Sequence, residues 1–188
     1  MSRDQVARVL ILGASGQVGH ALQQSTPPAT TLFTPSSSEV DLRTTDSLRA
    51  AIRDCAPDVI LNCAAFTRVD DAQSHSDTAR AINAEAPQII VEEAVRFGAR
   101  LIHISTDYVF DGTGSPPNAP GAPTAPLNVY GSTKLAGENA ILSANANAVV
   151  LRTSWVHSGS GANFVATAVR ALTKGGAMHV VDDQVSTP

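Results

Sequence analysis

The sequence lacks a cluster of basic residues, a long apolar run and any dense set of cysteines. Lysines and arginines are scattered, and the formal net charge is −4 at pH 7. Nucleic acids and anionic membranes are bound largely through grouped cations, so neither partner is expected. A phosphorylated metabolite stays open, because backbone N–H groups and a few placed cations suffice to hold one. Met1–Arg8 is polar, and the apolar run Val9–Leu12 is too short for a signal core or a membrane span. No secretory leader is therefore expected, and the expected location is cytoplasmic. Cys55 and Cys63 have no CxxC spacing, which points to two reduced, partly buried thiols rather than a zinc site or disulfide framework. The histidines are scattered without an HxxxH pair, so they read as surface or packing residues and no metal site is expected.

What is present alternates between short β-prone runs and helical stretches. Arg8–Leu12 is almost continuously apolar, as befits a strand covered on both faces by helices. Val18–Gln24 reads as a helix, Thr30–Thr34 as a strand, and Thr45–Cys55 as a helix with Leu48, Ala51 and Ile52 on one side, stopped by Pro57. Asp58–Cys63 is the next strand. A long helical region spans Ser76–Phe97, disturbed near Pro87 and capped by Gly98. Arg100–Ser105 is a strand, Asp111–Leu127 a Pro- and Gly-rich loop, Val129–Leu142 a helix and Ala148–Arg152 a strand. A helix near Asn163–Thr173 and a strand near Met178–Val181 complete the reading. Repeated strand–helix units imply an α/β fold: a doubly wound, Rossmann-type parallel sheet with right-handed crossovers.

Two motifs carry chemistry. The first strand runs into Gly13-Ala14-Ser15-Gly16-Gln17-Val18-Gly19, a GxxGxxG spacing between strand and helix. Glycines permit the tight turn and let a pyrophosphate approach the backbone, and the helix that follows aims free N–H groups at it. The second strand ends in Thr34-Pro35-Ser36-Ser37-Ser38, with neither acid nor base, so the choice between NADH and NADPH is left open. Asp41 suits either the adenosine end of such a cofactor or a cap for the helix beginning near Thr44.

The second motif is Tyr130-Gly131-Ser132-Thr133-Lys134, a YxxxK spacing that puts phenol and ammonium on one helix face. The ammonium is expected to lower the phenol pKa toward neutrality, where proton exchange is efficient. Thr106 follows directly on the preceding strand, at the carboxyl end where ligands collect in such sheets. Thr106, Tyr130 and Lys134 therefore form the candidate catalytic set.

The GxxGxxG spacing resembles that of the extended short-chain dehydrogenase/reductase superfamily. Asn62–Asp70, Ser105–Phe110 (STDYVF), Pro126–Glu138 (with YGxxKLxGE), Leu151–Val156 and Asp182–Gln184 resemble the dTDP-4-dehydrorhamnose reductase family, over almost the whole chain. The resemblance implies that Gly13, Gly16, Gln17, Val18 and Gly19 meet the pyrophosphate of NADPH or NADH. It implies that Asp41 and Leu42 meet the adenosine part, and that Ala64, Ala65 and Thr67 line the cofactor. Tyr130 and Lys134 would also bond the nicotinamide ribose, and Thr106, Asp107 and Trp155 would face the sugar nucleotide. On its own residue type, a lone Trp after a strand also suits core packing. The implied reaction is reduction of dTDP-4-dehydro-β-L-rhamnose to dTDP-β-L-rhamnose, with a dTDP-sugar as partner; a homodimer is compatible with it. Two parts are expected: 1–156, the NAD(P)-binding domain with Tyr130 and Lys134, and 157–188, the start of a substrate-binding region.

The chain departs from the family in three places. It stops just past Val185-Ser186-Thr187-Pro188, where family members continue through a substrate-completing region. The loop Gly114–Pro126 has no acid, and Gln73 stands where a Glu often follows the Val-Asp pair. Two other readings remain: a cofactor-binding, non-catalytic regulatory subunit of the methionine adenosyltransferase type, and an epimerase or dehydratase of another nucleotide sugar. Intact Thr106, Tyr130 and Lys134 favour a reductase over the former.

Overall fold

A computed structural model describes residues 6–113, 117–144, 146–158, 163–175 and 177–180. The chain divides into two compact units, 1–152 and 153–188.

The first unit is built on five strands, β1 (Ala7–Leu12), β2 (Thr30–Phe33), β3 (Val59–Asn62), β4 (Arg100–Thr106) and β5 (Ala148–Thr153), in the order β2-β1-β3-β4-β5. β1 pairs in parallel with both β2 and β3, and β3 with β4. The order reverses direction between β1 and β3, and at such a switch point the loops leaving the two strands part to open a crevice. α1 (Gln17–Gln24) follows β1, α2 (Thr45–Cys55) precedes β3, α5 (Ala86–Phe97) precedes β4, and α6 (Val129–Ser143) precedes β5. α2, α5 and α6 pack side by side. Their apolar stripes meet Leu10, Leu12, Ile60 and Leu101 of the sheet in the main core. Leu48, Ile52 and Cys55, spaced three and four apart, make the buried stripe of α2.

Ionic clamps join elements at the edge of this core. The Glu93 carboxylate of α5 is buried and accepts from Arg49 at 2.6 Å and from Arg53 at 2.9 and 2.6 Å, both on α2. Those guanidinium bonds hold the Glu93 carboxyl down at about 2. Glu138 of α6 is likewise buried and accepts from Arg152 of β5 at 3.0 and 2.6 Å. Arg152 also donates to the Pro120 carbonyl at 3.2 Å and lies over the Phe110 ring, tying the 107–127 loop to the sheet.

The helical region expected over 76–97 is continuous but not uniform. After α3 (Asp71–Ser74), α4 (Ser76–Arg80) passes through a π-helical turn at Ala81–Glu85 into α5, whose first turn carries Pro87. Proline has no N–H, and its ring crowds the carbonyl four residues back, here that of Asn83. A widened turn relieves the crowding, and the Asn83 carbonyl is displaced against α6 at Gly137. Gly98 ends α5 in the left-handed conformation, φ 65°.

The second unit contains α7 (Phe164–Thr173), whose N-cap Asn163 accepts from the Ala166 N–H at 2.9 Å. The strand expected at Met178–Val181 is absent over 178–180, and Val181 lies outside the described residues. An apolar run becomes a strand only when a neighbour satisfies its backbone groups, and no ladder forms there. Asp182–Gln184 also lie outside the described residues.

A Cβ at Gly137 would meet both the Asn83 carbonyl oxygen and, at 3.2 Å, the Pro87 ring. Neither can withdraw without undoing the π turn. Gly137→Ala is expected to lower stability by about 1–3 kcal/mol despite the better helix propensity of alanine, as read from the urea unfolding midpoint.

Candidate active site

The glycine loop lies at the switch point, directly after β1. Gly13 directly follows β1 with φ +78°, and a Cβ there would sit 2.7 Å from the backbone N of Ala64, just past β3. Only glycine combines that φ with that approach. Gly16 is the N-cap of α1 and, having no side chain, leaves the first turn without a side-chain cap. A Cβ on Gly16 would be 3.3 Å from the Gly13 carbonyl, and Gly19 packs on the same carbonyl and on Ala14. Gln17 and Val18, half-buried, open the helix. The loop thus presents bare backbone at a helix N-terminus, the arrangement that accepts a phosphate group.

Beside the glycine loop, the segment after β3 is held by side-chain amides. The Ala64 N–H donates to the Asn62 side-chain oxygen at 3.2 Å. Asn83 accepts from the Phe66 N–H at 2.8 Å and donates to the Phe66 carbonyl at 3.1 Å. Ala65 and exposed Thr67 flank that gripped residue. The same Asn83 amide reaches Thr133 of α6 at 3.3 Å, so one side chain links this loop to the helix that carries Tyr130 and Lys134.

Thr106 ends β4, buried, and its hydroxyl accepts from the Tyr108 N–H at 3.2 Å and contacts Asp107 at 3.3 Å. Asn128 caps α6, accepting from the Gly131 N–H at 2.7 Å, which places Tyr130 in the first turn. Gly131 lets α6 press directly on the Tyr108 carbonyl. Tyr130 is seated in a small apolar cluster of Phe66, Ala72 and Ala79, with the Tyr108 ring edge-on at 5.6 Å. The Thr106 hydroxyl lies close enough to the Tyr130 phenol to pull its pKa down. The structure thus brings Thr106 and Tyr130 together.

Lys134 is fully buried one turn further along, and its amine is turned into the fold. Nζ donates to the Ile104 carbonyl at 2.7 Å and lies 3.3 Å from Nε2 of His103. Burial lowers its pKa to about 8, against the pull of Glu138 and Cys63. Tyr130 moves the opposite way from expectation. Burial raises the phenol pKa, and the Thr106 hydroxyl offsets this only partly; nearby Asp107 and Tyr108 raise it further. The expected lowering by lysine is not seen, because desolvation of a seated phenol outweighs an amine that is engaged elsewhere.

Asp41 and Leu42 lie between β2 and α2. The Asp41 carboxylate folds onto Arg43, accepting from its backbone N–H at 2.9 Å and its guanidinium at 2.9 and 2.8 Å, and its pKa falls to about 2. It does not cap α2, whose N-cap is Thr44. Leu42 packs on the main core. Trp155 belongs to the second unit, with φ 47° and its ring edge-on to Phe164 at 5.8 Å. A cleft of about 420 Å³ between β2 and α2, lined by Leu32, Phe33 and Ala51, shares no residue with the constellation. Among the described residues no group of three or more His, Cys, Asp or Glu is placed to hold a metal ion, and no helix is long and apolar enough to cross a membrane.

Asn62, Asn83 and His103 went unrecognised as parts of the site in the sequence. His103 offered one signal: a histidine inside RLIHIST, a strand otherwise suited to burial. It is wholly buried and neutral, its pKa lowered from 6.5 to about 3 by desolvation and by Lys134.

The family described as RmlD substrate binding domain matches residues 7–188. A dTDP-4-dehydrorhamnose reductase of Mycobacterium tuberculosis H37Rv is 43% identical over 96% of this chain. A probable dTDP-4,6-dihydroxy-2-methyloxan-3-one 4-ketoreductase of Streptomyces antibioticus is 40% identical over a similar share. Each match covers about three fifths of the relative's own length, 61% and 62% respectively. The crystal structure of dTDP-4-dehydrorhamnose reductase from Bacillus anthracis in complex with NADP superposes with a TM-score of 0.83, at 32% identity, over 90% of this chain and 61% of that one.

Because unfolded His103 takes up a proton below pH 6.5 and folded His103 does so only near 3, stability is expected to fall as pH drops through that window. The slope is ~1.4 kcal/mol per pH unit for this one group. His103→Asn should unfold in urea with a visibly shallower pH dependence between those limits.

Proposed function

The chain belongs to the RmlD substrate binding domain family, and within it we propose that this protein reduces the keto group of a dTDP-linked 4-keto sugar, dTDP-4-dehydro-β-L-rhamnose in the first instance, using NADPH or NADH. The observation that carries this reading is the proximity of the Thr106 hydroxyl, at the end of β4, to the seated Tyr130 phenol, in a fold whose glycine cradle opens α1 at the sheet's switch point. Residues 1–156 form the cofactor-binding part and 157–188 begin the substrate region. The bare backbone of Gly13, Gly16 and Gly19 at the start of α1 fits a pyrophosphate, with Gln17 and Val18 beside it. Ala64, Ala65 and Thr67 line the opposite wall, and Asp41 and Leu42 take the adenosine end. The nicotinamide cofactor, when bound, supplies the hydride.

The protein's own groups manage the proton. A buried phenol with a raised pKa is fully protonated at neutral pH, which is the state needed to donate to a developing alkoxide. Thr106 holds the same oxygen by a second hydrogen bond, and so stabilises charge as it forms. Lys134 bonds the nicotinamide ribose, and Asp107 and Trp155 face the sugar nucleotide. The Streptomyces relative, 40% identical and named for a different ketone, makes the sugar a matter for direct comparison. The protein acts in the cytoplasm, and a homodimer is its proposed assembly.

Oxidation of NADPH and of NADH by the purified chain, followed by absorbance with each keto-sugar nucleotide, tests the proposal. Tyr130→Phe is expected to reduce kcat by ~10²–10⁴-fold while a cofactor-binding titration stays within a few-fold of the parent. Cofactor binding without turnover of any keto sugar would leave a chain lacking its substrate-completing region or a binding protein, and the same assay on a longer gene product would decide between them.

A further inference from the structure

β1 and β2 run in parallel with Leu10 beside Phe33, so residues 34–38 leave β2 next to the strand that delivers Gly13. In sheets of this kind the adenosine ribose of a dinucleotide is read at the end of the second strand. A carboxylate there bonds the free ribose hydroxyls of NADH, and a cation takes the 2′-phosphate of NADPH. By residue type, Thr34-Pro35-Ser36-Ser37-Ser38 offers hydroxyls that suit either form. In the structure the donors of Ser36 are engaged. Its N–H and its Oγ each donate to Glu39 Oε2 at 2.7 Å, and Ser38 Oγ lies 2.8 Å from Ser36 Oγ. The Glu39 and Val40 N–H groups donate to the Ser36 carbonyl at 3.1 and 3.0 Å, closing the turn. Glu39, 20 residues past Gly19, thus carries a carboxylate back to the end of β2. The same Ser36 bonds hold its pKa below the usual value, so it is ionised at neutral pH.

Cations are scarce along the whole stretch. No lysine or arginine occurs between Arg8 and Arg43. Arg8 opens β1, away from the glycine loop, and donates to the Cys55 carbonyl at 2.8 Å. The Arg43 guanidinium holds both Asp41 oxygens, at 2.9 and 2.8 Å. We propose that Glu39 makes this protein selective for NADH, its carboxylate accepting from the ribose hydroxyls and repelling the 2′-phosphate of NADPH. Both Ser36 bonds fall on Oε2, and among the described residues none falls on Oε1, which leaves that oxygen to accept from a hydroxyl. A phosphate has no such use for it. It brings about −1.5 to −2 charges and only acceptor oxygens, and would have to displace Glu39 from Ser36 to reach donors.

The proposal rests on the cofactor-binding reading but not on turnover. Calorimetric titration of the intact chain with NADH and with NADPH, at low ionic strength and without a sugar, tests it. NADH is expected to bind ~10-fold or more tighter. Glu39→Gln keeps an acceptor for Ser36 and removes the charge. It should bring the two affinities within ~3-fold of each other, chiefly by tightening NADPH, and Glu39→Lys should reverse their order. Equal or tighter binding of NADPH by the parent overturns the proposal, as does an NADH preference that is unchanged in Glu39→Gln. Both outcomes leave the cofactor site standing. A parent chain that binds neither dinucleotide overturns the cofactor-binding reading, and this proposal with it.

Discussion

Proline 87 removes one hydrogen-bond donor from the middle of a long helical stretch, and much of the site is arranged around that loss. The π turn that absorbs it pushes the Asn83 carbonyl outward, and α6 can lie against it only because residue 137 is glycine. The displaced turn also points the Asn83 side chain at the Phe66 backbone and at Thr133. The wall after β3 and the helix bearing Tyr130 and Lys134 are thereby set relative to each other by a single buried amide. Widened helical turns of this kind recur at functional sites because they re-aim groups that a regular helix would bury in its own ladder.

Burial, more than charge, governs the electrostatics of the site. Tyr130, Lys134, His103 and Cys63 all shift toward their neutral forms, the thiol to about 11. Where charge survives burial, it is matched bond for bond, as at Glu93 with Arg49 and Arg53 and at Glu138 with Arg152. These pairs clamp α2 to α5 and α6 to β5. Thr106 and Tyr130, by contrast, present neutral hydroxyls.

Most elements were legible in the sequence because their signals are local. GxxGxxG after an apolar run marks a strand, a turn and a helix N-terminus, and the structure places them at 7–24 with boundaries shifted by a residue. Gly98 and Pro57 ended their helices as their backbone preferences dictate. The misreadings concern partners. Met178–Val181 has strand composition but forms no ladder over 178–180. Asp41 suited either the adenosine end of a cofactor or a helix cap, and its neighbour Arg43 takes the carboxylate. Lys134 was expected to act on Tyr130, four residues away, and instead finds the Ile104 carbonyl of a different strand.

Spacing along the chain was enough to determine the α/β layering, the glycine turn and the placement of Tyr130 and Lys134 on one helix. These follow from φ/ψ limits and from the periods of strand and helix, which involve only near neighbours. Which of those groups carries charge was decided by the tertiary structure alone. Protonation depends on desolvation and on hydrogen-bond partners supplied by residues such as Asn62 and His103, 72 and 31 positions before Lys134 in the chain. No local pattern encodes that distance in space, so the residue types of the candidate site are written in the sequence but their protonation states are not.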